Sequence, residues 1–313
     1  MPPPFELQGH RGARGLKPEN TLPGFETALD LGVTSVETDV HLTRDAVPVL
    51  MHDPHISERL CRLLPGATAP DPAAGPAVAS LTLAQLRGYR ADRNPAPGRF
   101  PQQDVQPTPL ALAFAGRRGI DAFAIPTLAE LFDFVREYAG AAGEAAGKSA
   151  EQRRRAESLI FDLELKRVPF RPESVGDDYD GESPGLLERR VVEAVRSAGV
   201  AGRVRVRSFD HRSVAAARRL EPALEGAVLV QGTAPVRPAD LAQQAGAAAY
   251  CPDFAFVDAA LVRQCHAQGV RVLPWTVNEV ADAEQLLAWG VGGATTDYPD
   301  RLGRWLRGRG LRF

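Results

Sequence analysis

The stretch Val36-Glu37-Thr38-Asp39-Val40 alternates apolar or β-branched residues with acids. Residues two apart on a strand share a face, so Glu37 and Asp39 project together and Val36, Thr38 and Val40 face the other way. With the valines packed outward against helices, the two acids point into the interior of a closed sheet. Two neighbouring carboxylates in a largely buried place repel each other and are costly unless a cation joins them. Oxygen ligands at this spacing suit a hard divalent ion, Mg2+ or Ca2+, rather than zinc. His41 falls on the same face and reads as a hydrogen-bonded histidine at a strand end.

Working outward, Phe161-Asp162-Leu163-Glu164-Leu165-Lys166 repeats the alternation. Asp162, Glu164 and Lys166 share one face, an arrangement too costly for a barrel interior unless it serves a site. Glu164 is the natural third metal ligand, Lys166 can donate to a phosphate oxygen, and the deeper Asp162 is a structural partner. Further strand candidates are Phe5–Gly9, Val47–Met51, Val204–Ser208, Ala227–Val230, Ala248–Cys251, Val270–Thr276 and Gly293–Thr296. Strands are expected at Val33–Val40 and Leu159–Leu165 around the two quoted stretches. Helical patterns cover Thr21–Asp30, Leu128–Ala139, Leu186–Ala198, His211–Leu220, Pro238–Ala245, Asp258–Gln268 and Val280–Trp289. Strands followed by amphipathic helices indicate parallel βα units. Repeated about eight times, they make an α/β chain with a (β/α)8 TIM barrel. No G-x-G-x-x-G follows a strand, which argues against an open doubly wound sheet.

The whole chain, 1–313, reads as one such domain. Residues 54–122, rich in Pro, Gly and Ala with a helical stretch at Leu81–Arg90, read as an inserted subdomain over the barrel mouth. Residues 140–157 read as a solvated helical extension or link, and residues 167–184 as another loop on the active face.

Side chains just past the C-terminal ends of barrel strands line the active face. Gly9-His10-Arg11-Gly12 follows the first strand and sets a proton-transfer group beside an anion clamp. Leu50-Met51-His52-Asp53-Pro54 ends another strand, placing His52 near the same mouth. Pro274-Trp275-Thr276-Val277-Asn278 ends a later one, where Trp275 walls the pocket or packs in the core. Asp297, before Tyr298-Pro299, reads as a turn cap.

Composition narrows the class. Apolar residues at 44% and charged residues at 24% are ordinary for a globular chain, and a net charge of -2 gives no footprint for nucleic acid. Cys61, Cys251 and Cys265 form no C-x-x-C pair, so neither a zinc knuckle nor a disulfide framework is expected. No apolar run reaches the ~20 residues of a membrane helix. No signal peptide is visible at Met1 to Gln8, so the expected location is cytoplasmic, or periplasmic if a leader has been removed.

In their order, Gly9-His10-Arg11-Gly12, Pro18-Glu19-Asn20-Thr21, Glu37-Thr38-Asp39-Val40, Thr43-Arg44-Asp45, His52-Asp53-Pro54, Ile125-Pro126-Thr127-Leu128, Glu164-Leu165-Lys166 and Trp275-Thr276-Val277-Asn278 resemble the glycerophosphodiester phosphodiesterase family. The resemblance runs from about residue 8 to residue 300. It implies a TIM barrel with a small insertion after the second strand. It also implies hydrolysis of glycerophosphodiesters to sn-glycerol 3-phosphate and an alcohol with one divalent cation. By matching motif, His10 and His52 resemble the acid/base pair, Arg11 and Lys166 the phosphate contacts, and Trp275 the residue near the glycerol. Glu37, Asp39 and Glu164 resemble the metal ligands. Two other readings stand beside this one: a lysophospholipase D-like hydrolase, which an apolar rim on the insertion would favour, and a catalytically silent glycerophosphodiester-binding protein.

Overall fold

Alternation places apolar side chains on one side of the longer strands, and helices cover that side. The computed structural model describes residues 4–67, 75–177 and 179–313, so residues 68–74 of the expected insertion and residues 1–3 of the N-terminus lie outside the described residues. Among the described residues, eight parallel strands follow one another around a barrel: β1 (Glu6–Gly9), β2 (Ser35–Leu42), β3 (Ile160–Leu165), β4 (Val204–Ser208), β5 (Glu225–Val230), β6 (Ala249–Pro252), β7 (Arg271–Val272) and β8 (Gly293–Thr296). β8 pairs with β1. The ring closes where the chain after β7 bonds to β8: Thr295 N donates to Pro274 O at 3.0 Å and Val277 N to Thr295 O at 2.8 Å.

Val36, Val40, Phe161, Leu163 and Leu165 join the core between the barrel and its helices. Helix Leu22–Leu31 shows how these covers are built. Thr21 Oγ1 accepts from Gly24 N at its start, and Gly32, at φ 81°, ends it in the left-handed region that glycine adopts without strain.

Inside the barrel, charge is layered by register. Glu37 aligns with Asp162, Asp162 with Arg205, and Arg205 with Glu225. Arg205 is wholly buried, donating to Glu6 at 2.6 Å and to Asp162 at 2.9 Å, with Glu225 also beside it. Asp162 therefore serves as the deep structural partner that its position implies. The β5–β7 side is apolar instead, formed by Ala227, Leu229, Ala249, Cys251 and Leu273 with Trp275 against them.

Between β2 and β3 the chain first forms Pro48–Leu50, antiparallel to β2. Residues beyond it carry a separate apolar cluster that includes Ile56, Leu60, Cys61, Val78, Leu81, Leu86 and Tyr89. The helix expected at Leu81–Arg90 is confined to Leu83–Leu86. Gly88 follows, and Tyr89–Arg90 turns extended to pair with Arg62–Leu63. Pro109–Arg118, within the same insertion, and Pro299–Gly308 form helices that the periodicity did not single out. Both carry proline in the first turn, a recognisable start signal. The strand expected at Val270–Thr276 shrinks to Arg271–Val272, because Pro274 has no N–H for the ladder. Residues 140–157 hold two short helices, Ala141–Ala145 and Ala150–Glu157. No helix among the described residues is long and apolar enough to cross a membrane.

Candidate metal and phosphate site

Strand alternation brings Glu37 and Asp39 of β2 and Glu164 of β3 to the mouth of the barrel. Asp39 and Glu164 are register partners. One carboxylate oxygen from each of the three residues lies within 4.8 Å of the others, and all three side chains are buried.

Each acid is partly held by cations or donors. Glu37 Oε2 accepts from the Arg11 backbone N–H at 3.0 Å, and Glu37 Oε1 lies 3.2 Å from Arg207 Nη2. Asp39 Oδ2 accepts from Asn20 Nδ2 at 2.9 Å and lies 3.3 Å from Arg11 Nε. Glu164 Oε1 accepts from Lys166 Nζ at 2.7 Å, and the same ammonium lies 3.5 Å from Asp39 Oδ1. Asp39 Oδ1 is buried without a hydrogen-bond partner.

Burial pushes the Glu37 carboxyl up to about 7, with Asp39 and Glu164 adding to the effect of burial and Arg207 and Arg11 opposing it. Burial also opposes ionisation of Asp39, but Arg11 and Lys166 hold it well below the usual carboxylate range. Three crowded acids, one strained toward protonation and one presenting an unpartnered oxygen, fit a hard divalent cation.

The two histidines stand in different surroundings. His10 is almost sealed from water, with Nδ1 2.6 Å from Asp297 Oδ1 and Nε2 3.7 Å from Glu37 Oε2. Burial, reinforced by the Arg14 guanidinium, pushes His10 down to about 3 against the pull of Asp297. His52 is about one-third exposed, and its Nδ1 lies 2.7 Å from Asp53 Oδ1. His41 bonds through Nε2 to the His52 carbonyl at 3.2 Å, the strand-end role expected of it.

Arg11 adopts φ 51°, a left-handed turn that bends its backbone N–H toward Glu37. Its guanidinium donates to Glu19 at 2.7 Å. Trp275 donates from Nε1 to Cys251 O at 2.9 Å and meets Phe209 edge to face at 5.8 Å, which places it in the apolar wall of the mouth.

Four contributors went unrecognised in the sequence. Asp297 is no mere turn cap: it contacts His10, accepts two bonds from Arg14 at 2.9 and 3.2 Å and one from Asn278 Nδ2 at 2.9 Å. Arg14 and Asn278 were not singled out. Arg207 was also overlooked, although Val204-Arg205-Val206-Arg207 carries the same two-residue alternation as its neighbours. The insertion reaches this corner too. Gln103 donates to Arg14 O at 2.7 Å, Tyr298 donates to Arg99 O at 2.8 Å, and Lys17 pairs with Asp104.

With this geometry in place, the sequence matches the glycerophosphoryl diester phosphodiesterase family over residues 10–301. The chain belongs to this family. Two curated relatives are matched over nearly their whole length. The glycerophosphodiester phosphodiesterase of Caldanaerobacter subterraneus is 26% identical over 293 residues, covering 94% of each chain. That of Bacillus altitudinis is 27% identical over 298 residues, covering 95% of this chain and 96% of its own. Among solved structures, one from Silicibacter pomeroyi, assigned by name to the glycerophosphoryl diester phosphodiesterases, is 30% identical with a TM-score of 0.78. It is matched over 100% of this chain and 96% of its own. An Oleispira antarctica phosphodiesterase, solved with its product sn-glycerol-3-phosphate, shares the fold at a TM-score of 0.68 and 20% identity, with 97% of each chain covered.

Proposed function

We propose that this chain hydrolyses glycerophosphodiesters to sn-glycerol 3-phosphate and an alcohol, with one divalent cation, Mg2+ or Ca2+, held by Glu37, Asp39 and Glu164. The observation that carries the reading is the buried carboxylate trio with a histidine against it, His10 Nε2 being 3.7 Å from Glu37. Membership of the family supports the reaction class.

When bound, the cation polarises a phosphoryl oxygen and offsets the charge of the three acids. Lys166 and Arg11 supply further positive field to the phosphate, Lys166 from the end of β3 beside Glu164 and Arg11 from the loop after β1. The attacking hydroxyl comes from water or from the substrate's own glycerol. One of His10 and His52 takes its proton and the other gives a proton to the leaving alkoxide, which leaves the proton on the opposite histidine; hydrolysis of the cyclic ester with the roles reversed, or proton exchange with water after direct hydrolysis, restores the pair. Trp275 stands beside the alcohol or glycerol group, and the insertion covers the mouth on the His10 side.

Release of sn-glycerol 3-phosphate from glycerophosphocholine tests this directly. His10→Ala and His52→Ala are each expected to lose on the order of 10²–10⁴ in turnover. Near-wild-type turnover by both would end the assignment. A silent binding protein would show no release at all.

A second reading, hydrolysis of lysophospholipids, is favoured by a specific surface. Val168, Phe170, Phe209, Val236 and Phe256 are exposed large apolar side chains on the loops after β3, β4, β5 and β6. Phe209 meets Trp275 edge to face, and an aliphatic chain on the substrate would find apolar side chains on these loops. The insertion offers fewer, Leu63, Val105 and Leu112 among its described residues.

A further inference from the structure

Asp297 has one buried neighbour that the proposed chemistry uses, His10, and a set of neighbours that it does not. Its side chain is fully buried and accepts bonds on both oxygens. Oδ1 faces His10 Nδ1 at 2.6 Å and Arg14 Nε at 2.9 Å. Oδ2 faces Asn278 Nδ2 at 2.9 Å, Arg14 Nη2 at 3.2 Å and Arg99 Nη2 at 3.4 Å. Asn278 Oδ1 in turn accepts from the Asp297 backbone N–H at 2.9 Å, so the asparagine grips both ends of the residue.

We infer that Asp297 is a positioning residue that locks His10 in the tautomer with the proton on Nδ1, so that the Nε2 lone pair faces the carboxylate trio as a proton acceptor. The inference rests on the proposed function, in which His10 transfers a proton. Its physical basis is a count of donors. A carboxylate surrounded by guanidinium and amide N–H groups can only accept, so the ring nitrogen at 2.6 Å must be the donor. The hydrogen bond made by one ring nitrogen fixes what the other can do. Arg14 and Asn278 hold the carboxylate plane, and the carboxylate holds the ring. Arg14 also lies over the Phe100 ring at 4.9 Å, and Gln103 holds its backbone, so the insertion buttresses the same assembly.

Asp297→Asn tests this sharply. An asparagine must aim its amide NH2 somewhere. On the Oδ2 side it would meet three donors, whereas on the Oδ1 side it meets one donor and the His10 ring. The amide therefore turns toward His10 and donates to Nδ1, which leaves the proton on Nε2. His10 then presents a donor to the site where an acceptor is needed.

The expected result is a fall in kcat on the order of 10²–10⁴ with glycerophosphocholine, the range of general acid–base catalysis, and a KM within about threefold of wild type. Nitrogen-15 NMR of histidine-labelled protein should show His10 protonated at Nδ1 in the wild type and at Nε2 in Asp297→Asn. The wild-type spectrum does not depend on the folding of any variant, and His10 protonated at Nε2 in it would overturn the inference. Unchanged kcat in Asp297→Asn beside an inactive His10→Ala would overturn it while leaving the proposed function standing. Unchanged kcat in both variants would remove the proposed role of His10 and the positioning role with it.

Discussion

Arg207 Nη2 lies 3.2 Å from Glu37 Oε1 inside the barrel, with both side chains almost sealed from water, and the same guanidinium lies 3.4 Å from Asp162. One cation thus links the deep structural layer of charge to the layer that carries the site. Removing it leaves two buried carboxylates short of a counter-charge. Arg207→Met should cost about 3–5 kcal/mol of stability at neutral pH, as for other broken buried pairs. Urea unfolding measures this, and a loss below about 1 kcal/mol would show that the barrel interior hydrates or rearranges to absorb the change.

Cation binding has a readout apart from activity. Any ligand that binds the folded state alone stabilises it, by about 2.7 kcal/mol at a hundred times its Kd. Thermal unfolding of EDTA-stripped protein should shift upward by several degrees on adding Mg2+ or Ca2+. Asp39→Asn, which alters the carboxylate carrying the unpartnered oxygen, should abolish the shift. An equal shift in the variant would place the cation elsewhere.

Acid should weaken the barrel floor. Burial pushes the Glu6 carboxyl up, but Arg205, Gln8 and Arg271 together carry it down from its ordinary 4.5 to about 2. A carboxylate depressed in the folded state contributes stability that is present above its unfolded pKa and lost as pH falls through the folded one. The protein should therefore lose stability between about pH 5 and pH 2. The slope of unfolding free energy against pH should be shallower in Glu6→Gln over that window. An identical slope would mean that other carboxyls carry the acid sensitivity.

The exposed apolar side chains on the loops after β3 to β6 make a prediction about substrate choice. Phe170 is 84% exposed, so replacing it disturbs little packing. Phe170→Ser should lower kcat/KM for a lysophospholipid several-fold and leave that for glycerophosphocholine unchanged. Parallel losses on both substrates would show that Phe170 does not contact an aliphatic chain.

Much of this was legible in the sequence, and the reason is geometric. Glu37, Asp39, Glu164 and Lys166 sit on two strands whose alternation fixes which way each side chain points, so a local rule placed a long-range cluster. The same rule placed Asp162 beneath them. It applies equally to Arg207 on β4, where Val204-Arg205-Val206-Arg207 alternates in the same way. Asp297 is different. Its partner His10 is 287 positions away, and the two meet only because β8 closes against β1. Asp before Tyr-Pro looks like any turn until the barrel is closed. The helix Pro109–Arg118 was hidden by the Pro/Gly/Ala bias around it, although its own first-turn proline and its end at Gly119 mark both boundaries.

The most direct test of the central claim is the rate of sn-glycerol 3-phosphate release from glycerophosphocholine by the wild-type protein, measured before EDTA treatment, after it, and after return of Mg2+ or Ca2+. Release that falls to background on chelation and recovers with one of these cations is the expected result. Release that continues undiminished in EDTA, or no release under any of the three conditions, would contradict it.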